Sequence, residues 1–264
     1  LVVAGIYAGL VYYLRRRRDE RLLAETYAAL ALGFATLAIP LAFSAGTTAT
    51  LWALEGAGVA WLGIRQQRWF PWLSGLLLQL LAAGSYVLAM TKLPYQEWAS
   101  MPLLLNAPWL GAVFLAFSGF ALSLIHDRHR PLPALPAILL LWACFWWWTA
   151  NISQIGRAEP MPGAWQFLMI VLAATVAIAV VLRGSLAWLR LNWLVALCSI
   201  SGLLMVFYAN DEFGSPLAMP ALPLWAVYAA TLAWALRAPP EQSSRSLSFA
   251  HLIGLWSLAM ATTL

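Results

Sequence analysis

The chain has 264 residues, 63% of them apolar and 9% charged, where a soluble domain carries roughly 45–50% apolar and a quarter charged residues. That leaves too little polar surface to coat a water-soluble globule, and it excludes a disordered chain, a disulfide scaffold and an ordinary nucleic-acid-binding domain. The net charge of +5 rests on 15 basic residues, all Arg except Lys92, and most sit in short segments between apolar runs, a pattern of topological signalling and not of polyanion binding. Cys144 and Cys198 both lie inside apolar runs and read as small core residues, not as a disulfide framework or a metal site.

A transmembrane helix needs about 20 mostly apolar residues. In chain order, candidate spans fall at about 1–14, 22–43, 47–64, 70–90, 103–125, 132–152, 163–182, 185–208, 217–236 and 247–264. No strand-like alternation persists, as a transmembrane barrel would require, and helices satisfy the backbone in lipid. The expected fold is therefore all-α, a polytopic transmembrane helical bundle of about ten spans, with residues 1–264 as a single transmembrane region. Leu1–Leu14 does not read as a signal peptide, because its charges follow the apolar stretch. With no initiator Met, and a last apolar run that ends at Leu264, the sequence reads as an internal piece of a longer chain.

The loops test this count. Alternate loops, at Arg15 to Arg21, Arg65 to Arg68, His126 to Arg130, Arg183 to Arg190 and Arg237 to Arg245, hold every basic residue except Lys92 and Arg157. The opposite loops hold those two together with Glu97, Glu159, Asp211 and Glu212. Such alternation predicts that the Arg-rich loops face the cytoplasm. The 16 Trp gather near span ends: Trp52, Trp98, Trp109, Trp165 and Trp225 outside, and Trp61, Trp69, Trp72, Trp188, Trp193 and Trp234 inside, as in an aromatic belt. The indoles of Trp146, Trp147 and Trp148 point about 100° apart on a helix, so at least one must pack inward. An echo between Trp52–Trp61–Arg65 and Trp225–Trp234–Arg237 is accounted for by the abundance of Trp and Ala.

Glu55 is the most unusual residue, an ionisable group inside an apolar span that should face protein or water. Gly56 and Gly58, with Ala57, would let another helix approach on that side. Asn106, Trp109, Asn151, Gln154, Gln166, Asn210, Asp211 and Glu212 are placed at the same outer level. Together with Trp52 and Trp147, they could line a cavity open to the outside, of the composition expected for a sugar or glycolipid. Loop polarity is the competing account. Gln79, Ser85, Thr36 and Thr175 read as interhelical hydrogen-bonding residues, and Pro40 as a bend. His126 and His129 read as part of a charged cytoplasmic loop, too poor in ligands for zinc. No phosphate-cradling Gly-rich loop, His-Glu-x-x-His, Gly-x-Ser-x-Gly or Cys-x-x-Cys occurs. Asp211 and Glu212 are the only weak candidates for catalysis, and no metal or other cofactor is expected.

The segments Phe34 to Leu41, Leu51-Trp52-Ala53-Leu54-Glu55-Gly56-Ala57 and Trp61 to Arg65 carry a family resemblance, as do Leu105 to Gly111 and the Trp-rich stretch at Trp146. Over most of its length the chain resembles the bacterial predicted membrane proteins of domain-of-unknown-function family 2339, most specifically in Trp-Ala-Leu-Glu-Gly. The resemblance implies a long polytopic inner-membrane protein with further spans, gives no activity or catalytic residues to carry over, and adds weight to Glu55.

Three functions compete. The first is an envelope binding or transport protein with a Trp- and amide-lined cavity open to the periplasm. The second is a scaffold that anchors periplasmic or membrane protein partners. The third is a membrane-embedded transferase acting on a lipid-linked glycan, with Asp211 or Glu212 as acid/base. Expected partners are the lipid bilayer, a glycolipid or sugar ligand and a protein partner, with no nucleic acid.

Overall fold

The computed structural model describes residues 2–14, 27, 45–104, 106–129, 132–155, 163–215, 217, 222–237 and 245–263. The helices are α1 (Val2–Leu14), α2 (Ala45–Gln66), α3 (Trp69–Lys92), α4 (Tyr95–Ser100), α5 (Ala107–His129), α6 (Leu135–Ile152), α7 (Gly163–Leu186), α8 (Leu191–Phe213), α9 (Leu222–Leu236) and α10 (Arg245–Thr263), with no strand among the described residues. Among the described residues, five stretches are long and apolar enough to cross a membrane: α3, α5, α6, Trp165–Leu186 of α7 and Leu191–Asp211 of α8. Helix α9 and the stretch Ser248–Thr262 of α10 are apolar but shorter. Helix α2 has the length, but Thr47, Thr48, Thr50 and Glu55 dilute its apolar character. The expected span at 22–43, with Thr36 and Pro40, lies outside the described residues except for Tyr27, and so do the Arg15 to Arg21 loop, Arg130, Arg157 and Glu159.

Helix ends differ from expectation for local reasons. Helix α5 continues through His126 to His129, so these residues are not a loop. Helix α7 stops where Ala187 turns left-handed (φ 49°), and the Trp188 N–H closes the end on the Arg183 carbonyl at 3.3 Å, a Schellman-type closure. Gln67 (φ 55°) does the same for α2, with the Arg68 N–H on Gly63 O at 2.9 Å. Helix α8 runs on to Phe213, making Asn210, Asp211 and Glu212 its last turn. Gly214 ends it at φ 70° and donates to Asn210 O at 3.0 Å.

The chain divides into two compact units, Leu1–Ser100 with Leu105–Pro131, and Met101–Leu104 with Leu132–Leu264. The heart of the first is the α2–α3 hairpin, on which α5 packs. Ala49, Ala53, Gly56, Ala60 and Gly63 form the buried stripe of α2, and Gly75, Leu78, Gln79, Ala82, Ala83 and Tyr86 that of α3, with Gly56 against Gly75, Leu78 and Gln79. Small residues bring the backbones close: a Cβ on Gly56 would lie 2.8 Å from Gly75 O, and one on Gly75 2.6 Å from Ala60 Cβ. Gly58 differs from the expectation, because it is exposed and a Cβ there would meet nothing within 4 Å. The opposite face of α3 presents Leu73, Leu77, Leu80 and Leu88 outward, a surface suited to lipid.

In the second unit, α7, α8, α9 and α10 pack together and α6 lies on α7. Helices α7 and α9 run in the same direction, because Trp165 meets Trp225 near their starts (centroids 6.0 Å apart) and Arg183 reaches the Ala235 carbonyl near their ends. Helix α8 runs against them, with Asn192 beside Arg183 and Cys198 beside Tyr228. Trp165, Trp188 and Trp225 are core residues here, not belt residues, whereas Trp61, Trp69, Trp193 and Trp234 face outward. The echo has no counterpart in packing, since α2 packs mainly on α3 and α9 mainly on α7.

Candidate functional site

A polar node ties the first unit together. Gln79 on α3 donates from Nε2 to the Ala53 carbonyl of α2 at 2.6 Å, and Ser118 on α5 donates from Oγ to Gln79 Oε1 at 2.9 Å. Gln79 and Ser118 are 3% exposed. This is the interhelical role expected of Gln79, worth roughly 0.6 kcal/mol per bond and at most about 1.7 in lipid. Glu55 follows Ala53 by two residues on α2. It is half-buried, with its Oε2 sealed from solvent, and Trp52 beside it is half-buried too.

The node also sets the register of α2 against α5. Gln79 touches Ala53 and Ser118 at once, and further along Gly63 packs on Trp72, which bonds His126. The two helices therefore run in the same direction. Trp109 precedes Ser118 by nine residues, about 14 Å of helix at 1.5 Å per residue. Asn106 lies beyond it, so Glu55 stands well below both along the unit and the structure does not bring them to one level. Asn106 is buried and caps α5, with its Oδ1 accepting the Trp109 N–H at 2.9 Å. Pro108 inside the first turn has no N–H to satisfy, so the side chain serves the first amide that needs it. Trp109 is half-buried.

In the second unit, the Trp147 indole donates to Thr175 Oγ1 at 3.0 Å, joining α6 to α7 as expected of Thr175. Trp146 is the one of the three adjacent indoles that packs fully inward. Asn151 is 2% exposed and donates from Nδ2 to the Trp147 carbonyl at 2.8 Å. Gln154 is fully buried; its Oε1 accepts the Leu104 N–H at 3.2 Å and its Nε2 donates to Ser153 Oγ at 2.9 Å. This holds Leu104 in a left-handed conformation (φ 58°). Asn210 is half-buried and Asp211 exposed, both in the last turn of α8 with Glu212. Among the described residues, no group of three His, Cys, Asp or Glu is arranged to hold a metal.

Two polar centres were not anticipated. His126 is fully buried, and its Nε2 accepts the Trp72 indole N–H at 2.7 Å while Nδ1 lies 2.8 Å from the Leu122 carbonyl. With one nitrogen accepting and the other donating, the ring is the neutral Nδ1–H tautomer. Arg183 is 3% exposed and donates from Nη1 to Asn192 Oδ1 at 2.8 Å and from Nη2 to the Ala235 carbonyl at 3.1 Å. The visible signal for Arg183 was an arginine following Val180-Val181-Leu182 before the chain turns, and for His126 the apolar run Leu122 to Ile125 just ahead of it.

The family model for a predicted membrane protein, DUF2339, matches residues 1–264. The chain belongs to the DUF2339 family. No curated protein and no solved structure matches it. For this DUF2339 chain the identification agrees with the five helices among the described residues that are able to cross a membrane, and bilayer contact follows for their outward-facing Leu, Ile and Phe side chains.

Proposed function

We propose that this DUF2339 chain is a binding or transport protein of the bacterial cell envelope, with its functional carboxylate at Glu55. The observation that carries this reading is Glu55 itself: an ionisable side chain on α2 of the closely packed α2–α3 hairpin, half-buried and with one oxygen sealed from solvent. An ionisable residue among membrane helices marks a functional site by default. The proposed site is centred on Glu55 and Trp52 of the first unit.

The proposed topology has about ten spans in an inner membrane, with the Arg-rich loops cytoplasmic. Support comes from within each unit, where Arg65 and Arg68 share an end with Arg128, and Arg183 and Arg190 share an end with Arg237. Scaffolding of a membrane or periplasmic partner is the second reading. It is favoured by the structural hydrogen bonds of Asn106, Trp147, Asn151 and Gln154.

Thiol labelling separates the two. Cys144 and Cys198 are buried free thiols, so a single introduced cysteine reports its own surroundings. In intact cells, a charged membrane-impermeant thiol reagent is expected to label Glu55→Cys and Glu97→Cys but not Arg128→Cys. Labelling at position 97 without labelling at position 55 would refute a solvated site at Glu55 and leave the scaffold; labelling at 128 would overturn the orientation.

A further inference from the structure

Arg183 is an almost fully buried guanidinium that donates to two neutral partners, the Asn192 amide and the Ala235 carbonyl. Among the described residues its Nε–H has no acceptor, and neither does the Nε1–H of Trp188 in the turn that follows. Helices α7 and α9 contain no Asp or Glu. The acids of α8, Asp211 and Glu212, are at its far end, 19 residues beyond Asn192 in the case of Asp211, about 28 Å of helix. The ends of α7 and α9 each offer roughly half a negative charge, while the start of α8 beside Asn192 offers half a positive one. Glu241, four residues after Arg237, lies outside the described residues; among the described residues the helix dipoles offset only part of the cation.

The same two hydrogen bonds gather further charge. Arg190 stands two residues before Asn192 and Arg237 two residues after Ala235, so all three arginines are held at one end of the unit. Arg237 is exposed and Arg190 half-buried. This end lies where α7 and α8, both able to span a bilayer, leave it. Basic pockets between helices at that level suit lipid headgroup phosphates.

We infer that the end of the second unit built by Arg183, Arg190 and Arg237 is a binding site for the phosphate of an anionic phospholipid headgroup. Arg190 and Arg237 contact the phosphate from the rim. Arg183 beneath fixes the three helix ends and adds a charge that solvent screens little.

The test uses the intact protein, extracted in mild detergent, stripped of lipid and followed by native mass spectrometry. Phosphatidylglycerol, phosphatidylcholine of the same acyl chains, and inorganic phosphate are the probes. Phosphatidylglycerol is expected to be retained preferentially, and Arg190→Gln/Arg237→Gln to weaken its retention about thirtyfold. A matched loss of two charges at the other unit, Arg65→Gln/Arg128→Gln, should change it less than about threefold. Equal retention of phosphatidylcholine, an unchanged rim variant or an equal loss in the matched variant would each overturn the inference. Displacement of the lipid by millimolar inorganic phosphate would assign the site to free phosphate and overturn the lipid assignment. Because the rim side chains lie outside the core, the outcome does not depend on whether Arg183 variants fold.

Discussion

Gly75→Ala should open the α2–α3 hairpin, and Gly84→Ala on the same helix should not. A Cβ at position 75 would stand 2.5 Å from the Gly56 carbonyl oxygen and 2.6 Å from Ala60 Cβ. Ordinary contact begins near 3.4 Å, so α2 and α3 must part by at least 0.9 Å, the shortfall against the Gly56 carbonyl oxygen. Neither obstacle is the flexible end of a side chain, so no rotamer change relieves it. A gap of 0.5–1 Å forfeits about a quarter to a half of each dispersion well, and overpacking costs typically about 1–3 kcal/mol. The same movement would stretch the Gln79 Nε2–Ala53 O bond, now 2.6 Å, toward the limit of hydrogen bonding and forfeit roughly 0.6 kcal/mol more. The expected loss is about 2–3 kcal/mol. At Gly84 a Cβ meets nothing within 4 Å, and alanine should be neutral or gain up to about 1 kcal/mol from helix propensity. The assay is unfolding by SDS in mixed micelles, followed by far-ultraviolet circular dichroism. Equal midpoints for the two variants would refute the close-packed hairpin.

Other perturbations test individual contacts. Asn106→Ala should destabilise α5 by about 1 kcal/mol while Asn106→Asp retains the cap; an equal loss in both, by the same titration, would remove the capping role. Ala187→Gly should stabilise the protein by about 1 kcal/mol by relieving the left-handed backbone, read as a raised midpoint, and a lowered midpoint would contradict that conformation. A Cβ on Gly202 would collide with the Tyr228 ring and hydroxyl, its Cε1 lying only 2.9 Å away. Gly202→Ala should therefore cost about 1–3 kcal/mol, and less when Tyr228→Phe removes the hydroxyl, a coupling that a double-mutant cycle would show. Trp72→Phe should expose the buried His126 to diethyl pyrocarbonate, measured by peptide mass spectrometry; protection equal to that of wild type would show that the indole does not hold the ring.

The candidate site was partly legible. Glu55 stood out because a carboxylate among apolar neighbours is visible in one dimension, and Gln79 and Thr175 could be assigned interhelical bonds because an isolated polar group among packed helices has few alternatives. The level of Asn106 relative to Glu55 was not legible. It depends on the register of α2 against α5, which Gln79 fixes through partners 26 and 39 residues away. Reading Asn210 to Glu212 as a loop failed because polarity was taken for irregularity, where a last helical turn exposed to water accommodates polar residues equally well.

Composition alone decided the solvent and the class of structure: a chain so apolar must be surrounded by lipid, and in lipid the backbone must satisfy itself within helices. It could not decide which small residues matter. Gly56 and Gly58 are equivalent in sequence, yet one faces the Gly75 carbonyl and the other faces open space, because a two-residue step turns a helix by about 200°. Nor could it show that an arginine in a basic loop is buried against a carbonyl 52 residues away. Helix formation is governed by local chemistry repeated along the chain, whereas close approach and burial depend on the partner helix, which only the tertiary fold supplies.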